Sequence, residues 1–362
     1  MPRSNRLTHY GWPISHFSAK TRSYLTFKGV DFDDRYPNGV RLLFVIQRAV
    51  GRVVMPTVRM PNGQWLQDSS AIIDELEARH PTPAIRPKGA SQRLASYLLE
   101  YFADEWMQLT SLHSRWDTPG NARRAKYDFA HYAFPWLPIR VAQRFTQSMV
   151  DQMLAYQPAT GVTDATRPGI DAMLVRLLDA MEQQLGTTDY LLGARPALGD
   201  FALYGPLSSH IAYEPDSKHL IAERPAVGAW IERLARGATA SGEFLPGDQV
   251  PEALDPVFRM IFKDQMPWLR TVVTAIDRYV EEHPDALRVP RALGEAPFEV
   301  CGHRGERKIV TFTQWKGQRV RAAYEEAAGR ADSWFARFGE PARLLPEIRH
   351  PLTRKDFKEV LG

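Results

Sequence analysis

Between Arg6 and Gln67 the apolar positions switch repeatedly between a two-residue and a three-to-four-residue period. Arg6-Leu7-Thr8-His9-Tyr10 alternates as a strand does, and Ala19 to Phe27 carries helical spacing. Lys28-Gly29 then supplies a helix stop, a cation in the last turn and a glycine beyond it. Val30-Asp31-Phe32 predicts a short second strand, and the apolar run Val40 to Val50 a second helix. Thr57-Val58-Arg59-Met60 and Gln64-Trp65-Leu66-Gln67 flank Pro61-Asn62-Gly63, a hairpin signal. Ser69 or Ser70 caps a helix through Ala71-Ile72-Ile73-Asp74-Glu75-Leu76 that ends before Pro81. The order β-α-β-α-β-β-α predicts a mixed sheet flanked by helices.

From about residue 90 the two-residue period disappears. Leu94 to Leu112, Ala122 to Tyr132, Val141 to Ala155 and Ile170 to Leu185 read as helices, followed by Asp200 to His210 and Ala226 to Leu234. After Gly237 the run GATASGEFLPGDQVPEALDP reads as a loop or linker. A long helix is expected over Val257 to Glu282. A hairpin is expected to turn at Gly302-His303-Arg304-Gly305, and a charged helix to run from Gln318 to Phe338. These breaks divide the chain at 1–86, 87–240 and 241–362.

Composition narrows the classes. At 362 residues the chain is long enough for two or three domains. The net charge of +4 comes from 46 basic and 42 acidic residues, and reads as a mild surplus spread along the sequence. That predicts no nucleic-acid partner. The longest apolar stretch, Leu42 to Ile46, is too short to span a bilayer and the N-terminal residues lack the apolar core of a signal peptide, so a cytoplasmic protein with no membrane partner is expected. A lone cysteine, Cys301, excludes an internal disulfide, and no His pair at ligand spacing predicts a metal. Glu100, Asp104 and Glu105 read as a solvated helix face. Dinucleotide fingerprint, P-loop, HExxH and GxSxG patterns are absent.

Three local patterns, in order, resemble the cytosolic glutathione transferase superfamily. PISHFSAKTRSYLTFKGVDF resembles the first strand-turn-helix segment of its serine- and cysteine-type classes. Val54-Met55-Pro56-Thr57-Val58 resembles the segment that carries the cis-proline of a thioredoxin-like fold. Asp68-Ser69-Ser70-Ala71-Ile72-Ile73 resembles the Glu/Gln-Ser-x-Ala-Ile motif at the γ-glutamyl end of glutathione. ARPALGDFALYG and RPAVGAWIERL are similar to the closing helices of the family's second domain. The resemblance implies a fold that is α/β plus all-α: a thioredoxin-like N-terminal domain, a transferase-type helical domain, and an α+β extension outside it. Three positions depart from the pattern: Asp68 is one methylene short, Ala197 replaces the usual Ser/Thr cap, and Val54 stands where a Lys or Gln is common, with Arg52 nearby.

The same resemblance implies a site. Ser15 would be the catalytic hydroxyl, with Tyr10 as rival; Phe17, Arg52, Met55, Pro56, Asp68 and Ser69 would bind glutathione as co-substrate, with no metal. Tyr101, Trp106, His113 and Trp116 would line a pocket for a small hydrophobic electrophile, and a homodimer is the implied assembly. A thiol of pKa about 8.5 is only a few per cent ionised at neutral pH. A hydrogen bond donated to the charged sulfur contributes about 1.5–3 kcal/mol and a helix N-terminus about 0.3–1 kcal/mol, together enough to lower that pKa by about two units. The residues alone favour a helix cap for Ser15 over the catalytic role, and leave Asp68-Ser69 equally readable as a cap. The alternative to a transferase is a non-catalytic relative whose extension serves an interaction.

Overall fold

The computed structural model describes residues 6–237 and 242–362. The chain folds as two compact units. The first takes residues 1–85, 114–155 and 201–241; the second takes 86–113, 156–200 and 242–362. The extension thus shares a unit with part of the helical region. Residues 238–241 of the expected linker lie outside the described residues.

In the first unit β1 (Leu7–Tyr10), α1 (His16–Phe27), β2 (Phe32–Arg35), α2 (39–50), β3 (Thr57–Arg59), β4 (Trp65–Gln67) and α3 (Ser69–Arg79) follow the expected order. The sheet runs β2-β1-β3-β4, with β1 parallel to β2 and β3 antiparallel to both β1 and β4. Side chains alternate across a strand, so His9 and Tyr10 face opposite sides. His9 reaches Thr21 Oγ1 of α1 at 2.8 Å and Asp34 Oδ1 at 2.8 Å. Its complete burial lowers the imidazole pKa, partly countered by the bond to Asp34. Lys28 at the end of α1 donates to Glu77 of α3 and to the Pro83 carbonyl, which fixes the two helices against each other.

The helices that follow are α4 (90–117), α5 (Pro119–Ala133), α6 (Ile139–Thr160), α7 (Arg167–Leu185), α8 (198–211), α9 (His219–Ala222) and α10 (Pro225–Arg236). Within the first unit α10 lies on α1: Ser23 Oγ donates to the Leu234 carbonyl at 3.0 Å, and Trp230 is fully buried.

The second unit contains α11 (255–282), the hairpin β5 (Ala292–Val300) and β6 (His303–Val310), α12 (Phe312–Ala327), α13 (Asp332–Phe335), α14 (Pro341–Leu344), and the hairpin β7 (Leu352–Lys355) and β8 (Lys358–Leu361). Two expectations need correction. The turn between β5 and β6 is Cys301-Gly302, at φ 47° and 86°, so His303, Arg304 and Gly305 belong to the strand. The charged helix starts earlier and stops at Ala327, because Ala328 and Gly329 turn left-handed at φ 48° and 78°.

A third correction concerns the supposed solvated face. Glu100, Asp104 and Glu105 are buried against α12 and β6. Lys316 Nζ lies 2.8 Å from Asp104, Arg319 3.1 Å from Glu100, and Thr313 Oγ1 donates to Glu105 at 2.7 Å. Arg307, held between the Trp106 and Trp268 rings, donates to the Glu105 carbonyl at 3.1 Å. Burial raises the Glu105 pKa, while the bond from Thr313 and the charges of Arg307 and Lys316 pull the other way.

The start of α4 is also closed by the extension. Gly89, at its N-cap, has no side chain to offer, and Asp248 accepts from the Ser91 and Gln92 amides at 2.8 and 2.9 Å. A Cβ on residue 89 would collide with the Asp248 carboxylate, so glycine is needed for this approach. Replacing Asp248 by Ala is expected to cost about 0.5–2 kcal/mol, the usual loss for an N-cap, read as a lower urea midpoint at unchanged m-value.

Candidate active site

The site-bearing residues of the first unit gather at the ends of β1 and β3 and at two helix N-termini. Gly11, Trp12, Pro13 and Ile14 lead from β1 to α1. The Gly11 carbonyl accepts from Arg22 Nη2 at 2.9 Å, and Arg22 is paired to Asp34 at 2.6 Å, so the loop is anchored at its start. Gly11 also passes so close to Ser18 Oγ that a side chain there would overlap it.

Ser15 is the N-cap of α1, with extended backbone at φ −97° and ψ 119°. Its Oγ accepts a long contact from the Ser18 amide, 3.4 Å, and a better one from the Ser18 hydroxyl, 3.0 Å. With Ser18 donating to Ser15, the Ser15 proton points to a different acceptor. Ser18 is buried and Ser15 half-buried, so the pair forms a short hydroxyl relay whose outer member reaches solvent. Hydrogen bonds in such a chain polarise one another. The cap and the catalytic readings of Ser15 are therefore compatible.

Tyr10, the rival hydroxyl, is buried and stacks on Trp65 at 5.5 Å between ring centroids. It lies on the sheet face away from His9 and α1. Phe17 stacks on His16 at 4.4 Å.

The second cluster is at α3. The Met55–Pro56 peptide is cis, and Met55 Sδ accepts from the Trp12 amide at 3.3 Å, which brings this segment beside the loop before Ser15. Arg52 is half-buried between α2 and Pro56. Asp68 caps α3: Oδ1 accepts from the Ser70 and Ala71 amides at 2.9 and 3.1 Å. Its backbone stands at φ 81° and ψ 131°, a conformation that costs a non-glycine residue about 1–3 kcal/mol and tends to persist at functional sites. Ser69 Oγ is buried without a hydrogen-bond partner among the described residues. Lys20 of α1, fully buried, reaches Ser70 Oγ at 3.3 Å and so places a cation at the mouth of α3. Two helix N-termini and a buried ammonium favour anionic groups here.

Residues 10–84 match the glutathione S-transferase N-terminal domain, and residues 164–233 the glutathione S-transferase C-terminal domain. The chain belongs to the glutathione S-transferase superfamily. No curated protein matches it. Solved structures similar to it include a glutathione S-transferase of Methylobacterium radiotolerans in complex with glutathione sulfonate, at 20% identity and a TM-score of 0.41, covering 68% of this chain and 100% of that one. A Sphingobium β-etherase is 16% identical with a TM-score of 0.41 over 70% and 98% of the two chains. A glutathione transferase of Phanerochaete chrysosporium is 16% identical with a TM-score of 0.45 over 66% and 98%. The transferase domains fall within the first 240 residues, and the extension lies beyond both matches.

The residues expected to line the electrophile pocket of this transferase-family chain are placed differently from one another. Tyr101 and Trp106 are interior side chains of the second unit, 2% and 1% exposed, and offer no surface to a ligand. For these two the helical spacing marks core, which corrects the expectation drawn from the resemblance. His113 pairs with Asp171 at 3.1 Å in the same unit. Trp116 belongs to the first unit and packs on Phe129 at 5.8 Å. Phe129 and Tyr132 in turn clasp Trp12, at 5.6 and 5.7 Å, and Tyr36 meets Tyr132 at 5.7 Å. This aromatic group stands three residues from Ser15 in sequence through Trp12. Sequence reasoning missed Trp12, Lys20, Phe129 and Tyr132. For Trp12 a signal existed, a large aromatic in the loop just before the candidate hydroxyl.

Proposed function

We propose that the chain is a serine-type glutathione transferase, which holds glutathione as a thiolate at Ser15 and adds it to a small hydrophobic electrophile. The observation that carries this reading is the relay from Ser18 to Ser15, which leaves a half-buried hydroxyl proton at the N-terminus of α1. Donated to a sulfur, that proton favours the anion over the thiol, and the open amides of the first turn add to it. The γ-glutamyl end would rest at the mouth of α3, with Asp68 taking the ammonium and the Ser69 hydroxyl taking the carboxylate. Arg52 and the Met55 backbone would hold the remaining carboxylate and peptide groups, and Phe17 would border the ligand. The electrophile would lie against Tyr36 and Tyr132, the members of the Trp12 aromatic group that keep exposed surface, with Trp12 and Trp116 buried behind them. The cytoplasmic location and the homodimer implied by the resemblance belong to this proposal as well.

In the chemical step the thiolate sulfur forms the new carbon–sulfur bond with its own electron pair. The electrophile either accepts the displaced pair and is protonated from solvent, or expels a leaving group with it. No redox partner is needed. Titration calorimetry with reduced glutathione is the test, and saturable binding at millimolar concentration or below is expected. Absence of heat and of competition by an S-alkyl glutathione would overturn the transferase reading in favour of a non-catalytic relative.

Ser18 is a positioning residue in this scheme. Ser18→Ala leaves Ser15 in place but removes the donor to it, so glutathione affinity should change little. The apparent pKa of the bound thiol should rise by about half a unit to one unit, since a neutral hydrogen bond contributes about 0.5–1.5 kcal/mol. The pH profile of kcat/KM reads this shift. A purely structural role would lower activity equally at every pH.

A further inference from the structure

The basic surplus is not spread along the chain as its composition suggested. Residues 36–54 and 119–150 hold eight basic side chains and one acidic, Asp128, so the remainder of the chain, within a net of +4, is net negative. Both segments belong to the first unit. Asp128 is buried and bound by Arg124 at 2.9 Å. Arg41, Arg48, Arg140 and Arg144 have no acidic partner among the described residues.

The same two segments expose large apolar side chains. On α2, Val40, Leu43 and Phe44 are at least half exposed and share one face with Gln47 and Arg48, at the spacing i, i+3, i+4, i+7, i+8. Leu42, Ile46 and Val50 cover the opposite side and are buried, so α2 is apolar on both faces and only one is used by the core. On α6 and the turn before it, Trp136 and Phe145 are 55% and 62% exposed, and Val141 41%. Arg140 and Arg144 alternate with Val141 and Phe145 along one face. The two patches meet: Gly39 lies against the Phe134 ring, which touches both Trp136 and Phe145. Six half-exposed side chains of this size present roughly 500–600 Å², at the upper end for the largest apolar patch of a monomer.

We infer that this face is a docking surface for an anionic phospholipid bilayer, on which the protein lies without crossing it. Among the described residues no helix is long and apolar enough to cross a membrane. Interfacial association needs none, since an apolar face with flanking cations suffices. Charge decides among occupants. A second copy bound through the same face would set its arginines against themselves across a two-fold axis. A nucleic acid supplies the negative charge but nothing to cover Val40, Leu43 and Phe44. A bilayer with acidic headgroups supplies both, phosphates for Arg41, Arg48, Arg140 and Arg144, and acyl chains for the residues between them. The inference does not depend on whether glutathione binds at Ser15.

Sedimentation of the full chain with lipid vesicles tests it. The protein should pellet with vesicles of phosphatidylcholine and phosphatidylglycerol, and stay in solution with phosphatidylcholine alone. Raising salt from about 0.1 to 1 M, which shortens the Debye length from about 10 to 3 Å, should release it. Each arginine is worth about fivefold in partitioning, so Arg140→Glu with Arg144→Glu should weaken it more than about 25-fold. Trp136→Ser with Phe145→Ser should weaken binding with the charge unchanged. All four side chains are exposed, and circular dichroism verifies that the variants fold. Failure to pellet, or equal pelleting with both lipids, would overturn the inference. So would a concentration-dependent dimer, in analytical ultracentrifugation, that Phe145→Asp dissolves.

Discussion

Glutathione conjugation by the Ser15→Ala protein is expected to fall about 10- to 30-fold in kcat/KM at neutral pH. The magnitude follows from the bond removed, up to the limit set by a free thiol that is a few per cent ionised at neutral pH. A hydroxyl donating to a charged acceptor contributes about 1.5–3 kcal/mol, and each 1.4 kcal/mol is about a factor of ten. The sign follows from linkage: with the donor gone the bound thiol returns toward about 8.5, so less of it is ionised at pH 7. The loss should therefore shrink as pH rises and nearly vanish above about pH 9.5, where the thiol ionises without help. A stopped-assay pH profile with an activated aryl halide reads both features. The cap role predicts something else. The amide contact to Ser15 is long, 3.4 Å, so its loss should cost near the lower end of about 0.5–2 kcal/mol of stability and leave the profile unshifted. A parallel loss at all pH values would assign Ser15 to the cap alone.

The second large effect is expected far from that site, on stability. Lys316→Met should destabilise the protein by about 3–5 kcal/mol, because it removes the cation 2.8 Å from Asp104, a carboxylate with no exposed surface. Breaking one side of a buried pair strands the other charge, whereas replacing both can be nearly neutral. Lys316→Met with Asp104→Leu should accordingly recover most of the loss. Arg321, paired with Glu325 on the exposed side of the same helix at 2.7 Å, is the control: its replacement by Ala should change stability by less than about 1 kcal/mol. Urea unfolding followed by tryptophan fluorescence separates these cases. Equal effects of the two single substitutions would remove the argument from burial.

How far the sequence reveals this molecule differs along the chain. The first unit's sheet was legible because each strand and helix is short, amphipathic and punctuated. Lys28-Gly29 and Pro61-Asn62-Gly63 mark their turns with residues that nothing else explains as well. The second unit was less so. The hairpin Leu352–Leu361 turns at Asp356 and Phe357, both at positive φ, 51° and 61°, with no glycine or asparagine to announce it. Glu100, Asp104 and Glu105 looked solvated because a helical period tells which residues share a face, not what lies opposite. Their partners, Arg319, Lys316 and Thr313, stand more than 200 residues away. At the candidate site Ser15, Pro56 and Asp68 were legible from local pattern. Lys20 was not, since its relevance depends on where its side-chain tip ends.

The carboxylate that closes the first turn of the helix starting at Ala90 is 157 residues downstream of one amide it serves. On a ribosome adding about 5–20 residues per second, that helix emerges roughly 10–30 s before its own end-piece exists. Its opening turn must therefore stay frayed, or be held by water, through most of translation. Final closure of the second unit is in this sense a late event, timed by the arrival of Asp248 and not by the folding of the segment it completes.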